Sequence, residues 1–339
     1  MKLIVQIPCL NEEATLPATV ADIPRRIEGL SSVEVLIVDD GSSDRTVESA
    51  RACGVDHVVR NLSNQGLARS FQRGLDASLA LGADIIVNTD GDNQYCGADI
   101  PKLIAPILEG RADIVVGDRR TGEIAHFSPL KKLLQRAGSR VVSRLAGFEA
   151  ADAVSGFRAF SREAAMRLTV RSTFSYTIET LIQAGKKRLS VAFVPVRTNA
   201  ATRPSRLFRS IPQFLARSGG VMLRVYAMYE PLKVFLALGA VLMALGALPI
   251  ARFVFSYLAG DGAGMIQSLI IGGVLFIMGG LSAMFGLLAD LVSYNRQLLD
   301  ETLERLRRIE HGRSDDERTR FPETRVRREL DALKRSASG

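Results

Sequence analysis

Two aspartates, Asp90 and Asp92, stand in the segment Thr89-Asp90-Gly91-Asp92-Asn93-Gln94-Tyr95, directly after the apolar run Ile85–Asn88. That run reads as a buried strand, and residues i and i+2 of an extended segment point to the same side. The two carboxylates therefore converge at a strand end, where open α/β sheets bind their ligands. Paired carboxylates so placed suit a hard divalent cation that also bridges substrate phosphates. Three other segments fit the same chemistry. Ile7-Pro8-Cys9-Leu10-Asn11-Glu12-Glu13 and Val38-Asp39-Asp40-Gly41-Ser42-Ser43-Asp44 each close a strand and lead into a helix, while Asn64-Gln65-Gly66-Leu67-Ala68-Arg69 opens one. An Asp-Gly-Ser turn by itself is usually only a turn and a helix cap. Four such segments in register on one rim are a strong signal. The three histidines, His57, His126 and His311, fall in no catalytic motif, which argues against histidine-based hydrolysis.

The elements that must position these residues alternate. Strand-like runs at Leu3–Ile7, Val33–Val38, His57–Val59, Ile85–Asn88 and Ile114–Gly117 are separated by helical patterns near Glu12–Glu28, Asp44–Ala52, Leu67–Leu81 and Asp99–Leu108. Such alternation predicts an α/β fold, Rossmann-like, with a mostly parallel sheet and helices on both faces. Near-continuous apolar strands are what a parallel sheet requires. From 121 to 200 the pattern is less regular, with a basic helix near Pro129–Leu145 and a strand near Val191–Pro195. Ile211–Met228 reads as an amphipathic helix with Arg217 and Arg224 on its polar side, a platform for a membrane surface. There is no internal repeat.

Of the 339 residues, 47% are hydrophobic, and the excess is concentrated near the C-terminus. Val234–Ala251 and Gly262–Ala289 carry no charge, and apolar residues continue from the first run to Leu258. Each run is long enough to cross a bilayer, which takes about 20 residues. With a short gap between them they form a predicted transmembrane helical hairpin. Arg217, Arg224 and Lys233 precede the first span, Arg296, Arg305, Arg307 and Arg308 follow the second, and the connection has neither Lys nor Arg. The positive-inside rule then places both termini and the catalytic part in the cytoplasm, as a multi-pass protein of the inner (plasma) membrane. Met1-Lys2 leads straight into a strand pattern rather than into a signal peptide. Cys9, Cys53 and Cys96 have unpaired spacings, fit a reducing compartment and are not placed as metal ligands. The net charge of +8 comes largely from the juxtamembrane region and tail, where arginines can engage anionic headgroups. Gln297–Ile309 has Leu299, Leu303 and Leu306 at helical spacing, for either a short oligomerisation helix or a surface helix. The expected organisation is a catalytic domain at 1–205, amphipathic juxtamembrane helices at 206–230, two transmembrane helices at 231–293 and a basic cytoplasmic tail at 294–339.

In order along the chain these motifs resemble the family 2 glycosyltransferases with the GT-A nucleotide-sugar fold. Within that group the chain is similar to the polyprenyl-monophosphate glycosyltransferases, relatives of dolichol-phosphate mannose synthase. The resemblance covers roughly residues 1–230, and the two trailing spans match the membrane-anchored bacterial branch. It implies that Pro8, Leu10 and Glu12 border the nucleobase and ribose, with Asp39 or Asp40 accepting hydrogen bonds from them. Arg69 would hold base or phosphate. Asp90 and Asp92 would position Mg2+ or Mn2+ on the diphosphate, Asp92 as the more direct ligand, with Gln94 close by. Gly117-Asp118-Arg119-Arg120 resembles the family's Gly-Ser-Arg segment, making Arg119 or Arg120, with Lys131, the grip on the acceptor phosphate. Asp152-Ala153-Val154-Ser155-Gly156-Phe157-Arg158 resembles the family's Asp-x-x-Ser-Gly-Phe-Arg motif. It would set Asp152 near the reacting sugar carbon, with Ser155-Gly156 shaping the turn and Arg158 orienting neighbours. Arg203-Pro204-Ser205-Arg206 takes the place of the loop that closes over the diphosphate, with Arg206 where the family often has Lys.

The implied activity is inverting transfer of a hexose from a nucleotide diphosphate sugar, of UDP-glucose or GDP-mannose type, to an undecaprenyl or dolichyl phosphate in the bilayer. A rival keeps the donor and makes a sugar hydroxyl of a glycolipid or glycan the acceptor, with Asp152 as a base. A third reading is a non-catalytic nucleotide-sugar-binding membrane protein, which has little need for both aspartates. A transporter fits poorly, because only Arg252 and Asp290 lie near the ends of the spans. A nucleic-acid partner is not expected, since the basic tail lacks stacking aromatics apart from Phe321. The hairpin and tail helix invite a homodimer or tetramer.

Overall fold

The structure, a computed structural model, describes residues 1–119, 139–170, 176–199, 226–227, 230–260 and 266–310. Its strands are β1 (Lys2–Cys9), β2 (Ser32–Asp39), β3 (His57–Arg60), β4 (Ile85–Asn88), β5 (Ile114–Asp118), β6 (Arg158–Ser161) and β7 (Val191–Pro195). They form one seven-stranded sheet in the order β3-β2-β1-β4-β6-β5-β7. All pairings are parallel except those of β6, which runs antiparallel to both β4 and β5. Because β6 is reversed, its first residue, Arg158, pairs with Asn88 at the end of β4. The start of β6 and the ends of β1, β2, β4 and β5 thus share one rim.

Side chains alternate across the sheet and bury two apolar layers. One face carries Ile4, Leu36, Val38, Ile86, Ile114, Val116 and Phe160 against α3 (Leu67–Ala80), α5 (Arg162–Arg167) and α6 (Tyr176–Lys186). The other carries Leu3, Val5, Ile7, Val35, Ile37, Ile85, Val87 and Val115 against α1 (Leu16–Ala21), α2 (Thr46–Ala52) and α4 (Ile100–Leu108). The expected three-layer α/β fold is present, with two refinements. The helix expected over Glu12–Glu28 shrinks to Leu16–Ala21, because Pro17 sets its start and Asn11 adopts a left-handed φ of 55° in the preceding loop. The less regular stretch contains β6, α5 and α6, as well as a helical segment at 139–146.

Two further helices, α7 (Pro231–Leu258) and α8 (Ile266–Glu310), are long and apolar enough to cross a membrane. Only 11% and 22% of their most apolar windows are buried, unlike the core helices of a soluble protein, and the exposed surface is Leu, Ile, Val, Phe and Met. They pack as an antiparallel pair through glycines. A Cβ on Gly239 would fall 2.7 Å from the Gly279 carbonyl oxygen, and one on Gly246 2.7 Å from that of Gly272. Small residues at such crossings let backbones approach where no hydrophobic drive exists. The boundary expected at 293 falls inside α8, which runs unbroken for 45 residues.

Candidate active site

The loops on the rim are stitched together before any ligand is considered. Asn11 N donates to Ser42 Oγ at 2.9 Å, and its side-chain Oδ1 accepts from Ser43 N at 2.9 Å, joining the loops after β1 and β2. Gly41, at φ 75°, lies so close to the loop after β3 that a Cβ would sit 2.8 Å from the Ser63 carbonyl carbon. The carbonyl of Gly91 accepts from Thr15 Oγ1 at 2.8 Å and Thr19 Oγ1 at 3.2 Å, so α1 holds the Asp90-Gly91-Asp92 turn.

Asp39 and Asp40, adjacent in sequence, do different work. The buried Asp40 carboxylate accepts from Asn61 Nδ2 at 2.8 Å, Gln65 N at 2.8 Å and Gly66 N at 2.9 Å. It is committed to the loop that starts α3. Asp39 Oδ1 accepts from Ser42 N at 3.2 Å, while Oδ2 lies 3.1 Å from Arg60 Nε as an ion pair without an aligned hydrogen bond. Of the two, Asp39 retains an oxygen for an incoming donor. Cap-like bonding belongs to Asp44, whose Oδ1 accepts from Thr46 N at 3.0 Å and Oδ2 from Glu13 N at 3.2 Å. Pro8 and Leu10 flank the end of β1, and Glu12 is buried with Oε2 accepting from Thr15 Oγ1 at 2.8 Å. Arg69 is exposed in the first turn of α3 and donates to Gln65 Oε1 at 3.0 Å.

Asp90 is recessed beneath the rim, and among the described residues none donates a hydrogen bond to it. Burial and the neighbouring Asp92 charge push its carboxyl up to about 7, against the opposing pull of Arg119. Asp92 Oδ1 accepts from the backbone Gln94 N at 3.2 Å, which puts Gln94 next to Asp92. A carboxylate pair in mutual repulsion, one member with no donor, fits a hard divalent cation. No group of three or more His, Cys, Asp or Glu side chains suited to a metal occurs among the described residues. A cation here would therefore take its remaining ligands from substrate phosphates and water, the usual mode for Mg2+.

Behind Asp90 stands Gly156. A Cβ there would fall 2.9 Å from Asp90 Oδ2 and 2.9 Å from the Tyr176 hydroxyl. Gly156 N donates to Tyr95 Oη at 2.9 Å, and its carbonyl accepts from Asn88 Nδ2 at 2.9 Å. Asn88 also donates to Tyr176 Oη at 2.8 Å and accepts from Gln6 Nε2 at 3.0 Å. This buried network gives Tyr95, Tyr176, Asn88 and Gln6 parts that local sequence did not reveal. For Gln6 and Asn88, polarity within or at the end of an apolar run is the local hint.

Across the rim, Asp152 is buried and gripped by Arg119 in fork geometry: Nε to Oδ2 at 2.7 Å and Nη2 to Oδ1 at 3.0 Å. Burial alone would lower the Arg119 pKa, but Tyr95, Asp152 and Asp90 more than reverse this and keep it charged. Asp152 and Arg119, 33 residues apart in sequence, are thus brought together as a bidentate pair. Arg158 is fully buried and donates to Ser155 O at 2.8 Å, Ala153 O at 3.0 Å, Thr177 O at 2.7 Å and Thr180 Oγ1 at 2.6 Å. It holds the Asp152–Phe157 loop to α6, the orienting part expected of it. Ser155 Oγ is buried without a partner among the described residues. Arg120, Lys131, Arg203 and Arg206 lie outside the described residues, as do most of Ile211–Met228 and the tail beyond Glu310.

Residues 4–169 match the model of glycosyl transferase family 2. Glycosyltransferase AglJ of Haloferax volcanii is 30% identical over 89% of this chain and 95% of its own length. The dolichyl-phosphate hexose transferase of the same organism is 30% identical over 57% of this chain and 81% of its own. Among solved structures, glucosyl-3-phosphoglycerate synthase from Mycobacterium tuberculosis, in complex with Mn2+, UDP and phosphoglyceric acid, superposes with a TM-score of 0.53. That match has 23% identity and covers 67% of this chain and 78% of that one. The same enzyme with Mn2+, UDP and glucosyl-3-phosphoglycerate gives a TM-score of 0.50 at 25% identity, with the same coverage. From the mixed sheet, the carboxylate rim and these relatives together, the chain belongs to glycosyl transferase family 2.

Proposed function

We propose that this glycosyltransferase is metal-dependent and inverting, and moves a hexose from a nucleotide diphosphate sugar to the phosphate of a polyprenyl phosphate at the cytoplasmic membrane face. The donor is of UDP-glucose or GDP-mannose type. The observation that carries the acceptor is the Arg119–Asp152 fork. Both oxygens of Asp152 already accept from a guanidinium. A sugar hydroxyl needs a base to take its proton, whereas a phosphate monoester, with a second pKa near about 6, is largely ionised at pH 7. Asp152 is therefore suited to orient Arg119 rather than to take a proton. Arg119 in turn keeps further N–H groups for the acceptor's oxygens.

In the reaction, an acceptor phosphate oxygen attacks the anomeric carbon as the bond to the nucleoside diphosphate breaks. Configuration inverts, and negative charge moves onto the leaving oxygen. Mg2+ or Mn2+ held by Asp90 and Asp92 supplies Lewis-acid stabilisation of that charge when bound. Asp39 is suited to accept from a ribose hydroxyl or base N–H. Support for the metal comes from the donorless Asp90 and from the Mn2+ and UDP of the related synthase. The lipid surface is supported by the two apolar helices and by the dolichyl-phosphate relative.

The test offers purified protein a panel of radiolabelled nucleotide sugars with polyprenyl phosphate and counts lipid-extractable label. Metal-dependent label that Asp92→Ala abolishes, without loss of membrane insertion, is the expected result. Label appearing only on a hydroxyl acceptor would replace this reading with the rival one.

A further inference from the structure

We propose that Asp290–Glu310, the part of α8 beyond its uncharged stretch, is a strut that fixes the height and tilt of the donor site over the bilayer. Arg307 is its positioning residue. The proposal rests on the reading above that the acceptor phosphate is presented at a lipid surface.

The extension is about 30 Å long at about 1.5 Å per residue. No glycine or proline follows Gly286 in it, so nothing in the sequence kinks it. Its far end does not stand free in water. The Arg307 side chain is only 11% exposed. Its Nη1 donates to Leu168 O at 2.8 Å and Met166 O at 3.2 Å, and its Nη2 lies 3.0 Å from Asp76 Oδ1. Those carbonyls end α5, a six-residue helix whose last carbonyls have no intrahelical partner. Arg307 caps that helix from 141 residues away. Arg308 adds ion pairs to Glu163 on α5 and, at 3.0 Å, to Glu304 on its own helix.

A second tether sits at the start of the other span. Lys186, the last residue of α6, pairs with Glu230, which also lies 3.1 Å from Lys233 at the base of α7. The next residue, Lys187, exchanges hydrogen bonds with Arg167 of α5, whose Nη2 donates to the Lys187 carbonyl at 2.7 Å. A single contact between catalytic domain and anchor leaves a pivot; two contacts on different anchor helices remove the swing. The opposite end of α6 is Tyr176, whose hydroxyl lies behind Asp90. One helix, about 16 Å long, therefore runs from the wall of the metal turn to the membrane tethers and sets their separation. Exposed interfacial ion pairs contribute little stability. The buried, multiply bonded Arg307 is different, and its geometry makes orientation its main consequence.

The test uses full-length protein in phosphatidylethanolamine–phosphatidylglycerol vesicles with two acceptors, a long-chain polyprenyl phosphate embedded in the bilayer and a short-chain, water-soluble one. Arg307→Ala should lower kcat on the embedded acceptor by about tenfold or more, as misplacement of reacting groups does. The KM for the donor and the rate on the soluble acceptor should stay at wild-type values. Arg307→Lys keeps the charge but not the fork and should fall between. It carries the same readouts if the alanine variant does not fold. Equal loss on both acceptors, reducing Arg307 to a stabiliser of α5, overturns the proposal, and so does no loss on either. Wild-type protein that transfers to neither acceptor instead overturns the acceptor reading, and the strut falls with it.

Discussion

Gly156→Ala probes the wall behind Asp90 with a single methyl. Gly156 has no left-handed backbone requirement, so space alone argues for glycine there. The added Cβ would lie 2.9 Å from Asp90 Oδ2, 2.9 Å from Tyr176 Oη and 3.1 Å from Asp90 Oδ1. Carbon and oxygen atoms are comfortable at about 3.5 Å, so something must retreat by roughly half an ångström. Tyr176 has nowhere to go. Its ring stacks on Phe71 with centroids 3.9 Å apart and planes 4° from parallel, and its hydroxyl accepts from Asn88. Asp90, which has no hydrogen-bond donor among the described residues, yields instead.

Overpacking of this size costs about 1–3 kcal/mol of stability. Displacement of a group that positions a reacting centre costs up to about 100-fold in rate. The variant should therefore unfold at a moderately lower temperature, yet lose most of its transfer and require more metal for half-maximal rate. Gly97→Ala is the control: its Cβ would meet Asp22 O at 2.6 Å, away from Asp90, so it should lose stability while keeping the wild-type metal requirement. Adding Tyr176→Phe to Gly156→Ala removes one of the two clashes and should restore part of the rate. A Gly156→Ala enzyme with wild-type rate and metal requirement refutes the assignment of Gly156 as the wall that sets Asp90.

The two adjacent aspartates separate by assay. Asp39→Asn should weaken nucleoside diphosphate binding about tenfold, or about 1.4 kcal/mol, with little change in urea midpoint, whereas Asp40→Asn should lower the midpoint because it disturbs the bonds from Gln65 N and Gly66 N. Arg158→Met leaves the carbonyls of Ser155, Ala153 and Thr177 without their donor and should cost about 3 kcal/mol or more in chemical denaturation. Asp99 is raised by burial, but hydrogen bonds from Arg197 outweigh this and hold its carboxyl below the usual range. Its contribution is therefore present above the unfolded pKa of about 3.9 and fades as pH falls through the lower folded value. The midpoint gap between wild type and Asp99→Asn should be widest near neutral pH and close on acidification; a gap that widens in acid would contradict the sign.

Much of this architecture is legible along the chain because most parallel strands of the sheet are built from local signals. β1, β2, β4 and β5 are apolar runs that end in turn residues, and each run places its motif on the rim by continuity. Sequence reasoning weakens where partners are distant. β6 has four residues, Arg-Ala-Phe-Ser, and is a strand only because Asn88 and Val116 flank Arg158 from either side. In α6 the apolar stripe is obscured by buried Thr177, Glu179, Thr180 and Gln183, and two of these serve Arg158 through the Thr177 carbonyl and Thr180 hydroxyl. The Leu pattern of Gln297–Ile309 points to an oligomerisation or surface helix, and Leu299 and Leu306 are exposed on this chain; what the pattern does not reveal is the role of the arginines beside them. Arg307 and Arg308 contact the catalytic domain, with partners more than 130 residues away. Likewise, no local rule separates Asp39 from Asp40: the difference is made by a loop 25 residues further on.

The rim gathers Glu12, Asp39, Asp40, Asp44, Asp90, Asp92 and Asp152, and a folded chain can hold so many acids together only by neutralising or hydrogen-bonding them. It does so unevenly. Asp40 is bound by backbone N–H groups of the loop that opens α3, Asp44 by the Thr46 N–H of its own loop, Glu12 by Thr15, and Asp152 by a guanidinium. Asp39 keeps one oxygen only loosely paired, and Asp90 faces Asp92 with no donor among the described residues. The repulsion between Asp90 and Asp92 and the loosely paired Asp39 oxygen leave the apo rim less stable than it need be, and the deficit is removed by whatever brings a cation to Asp90 and a donor to Asp39. A metal-bound nucleoside diphosphate brings both at once, so the two unsatisfied acids should couple metal and nucleotide binding: each should tighten the other, and Asp39→Asn should loosen metal affinity measured with nucleotide present but not without it.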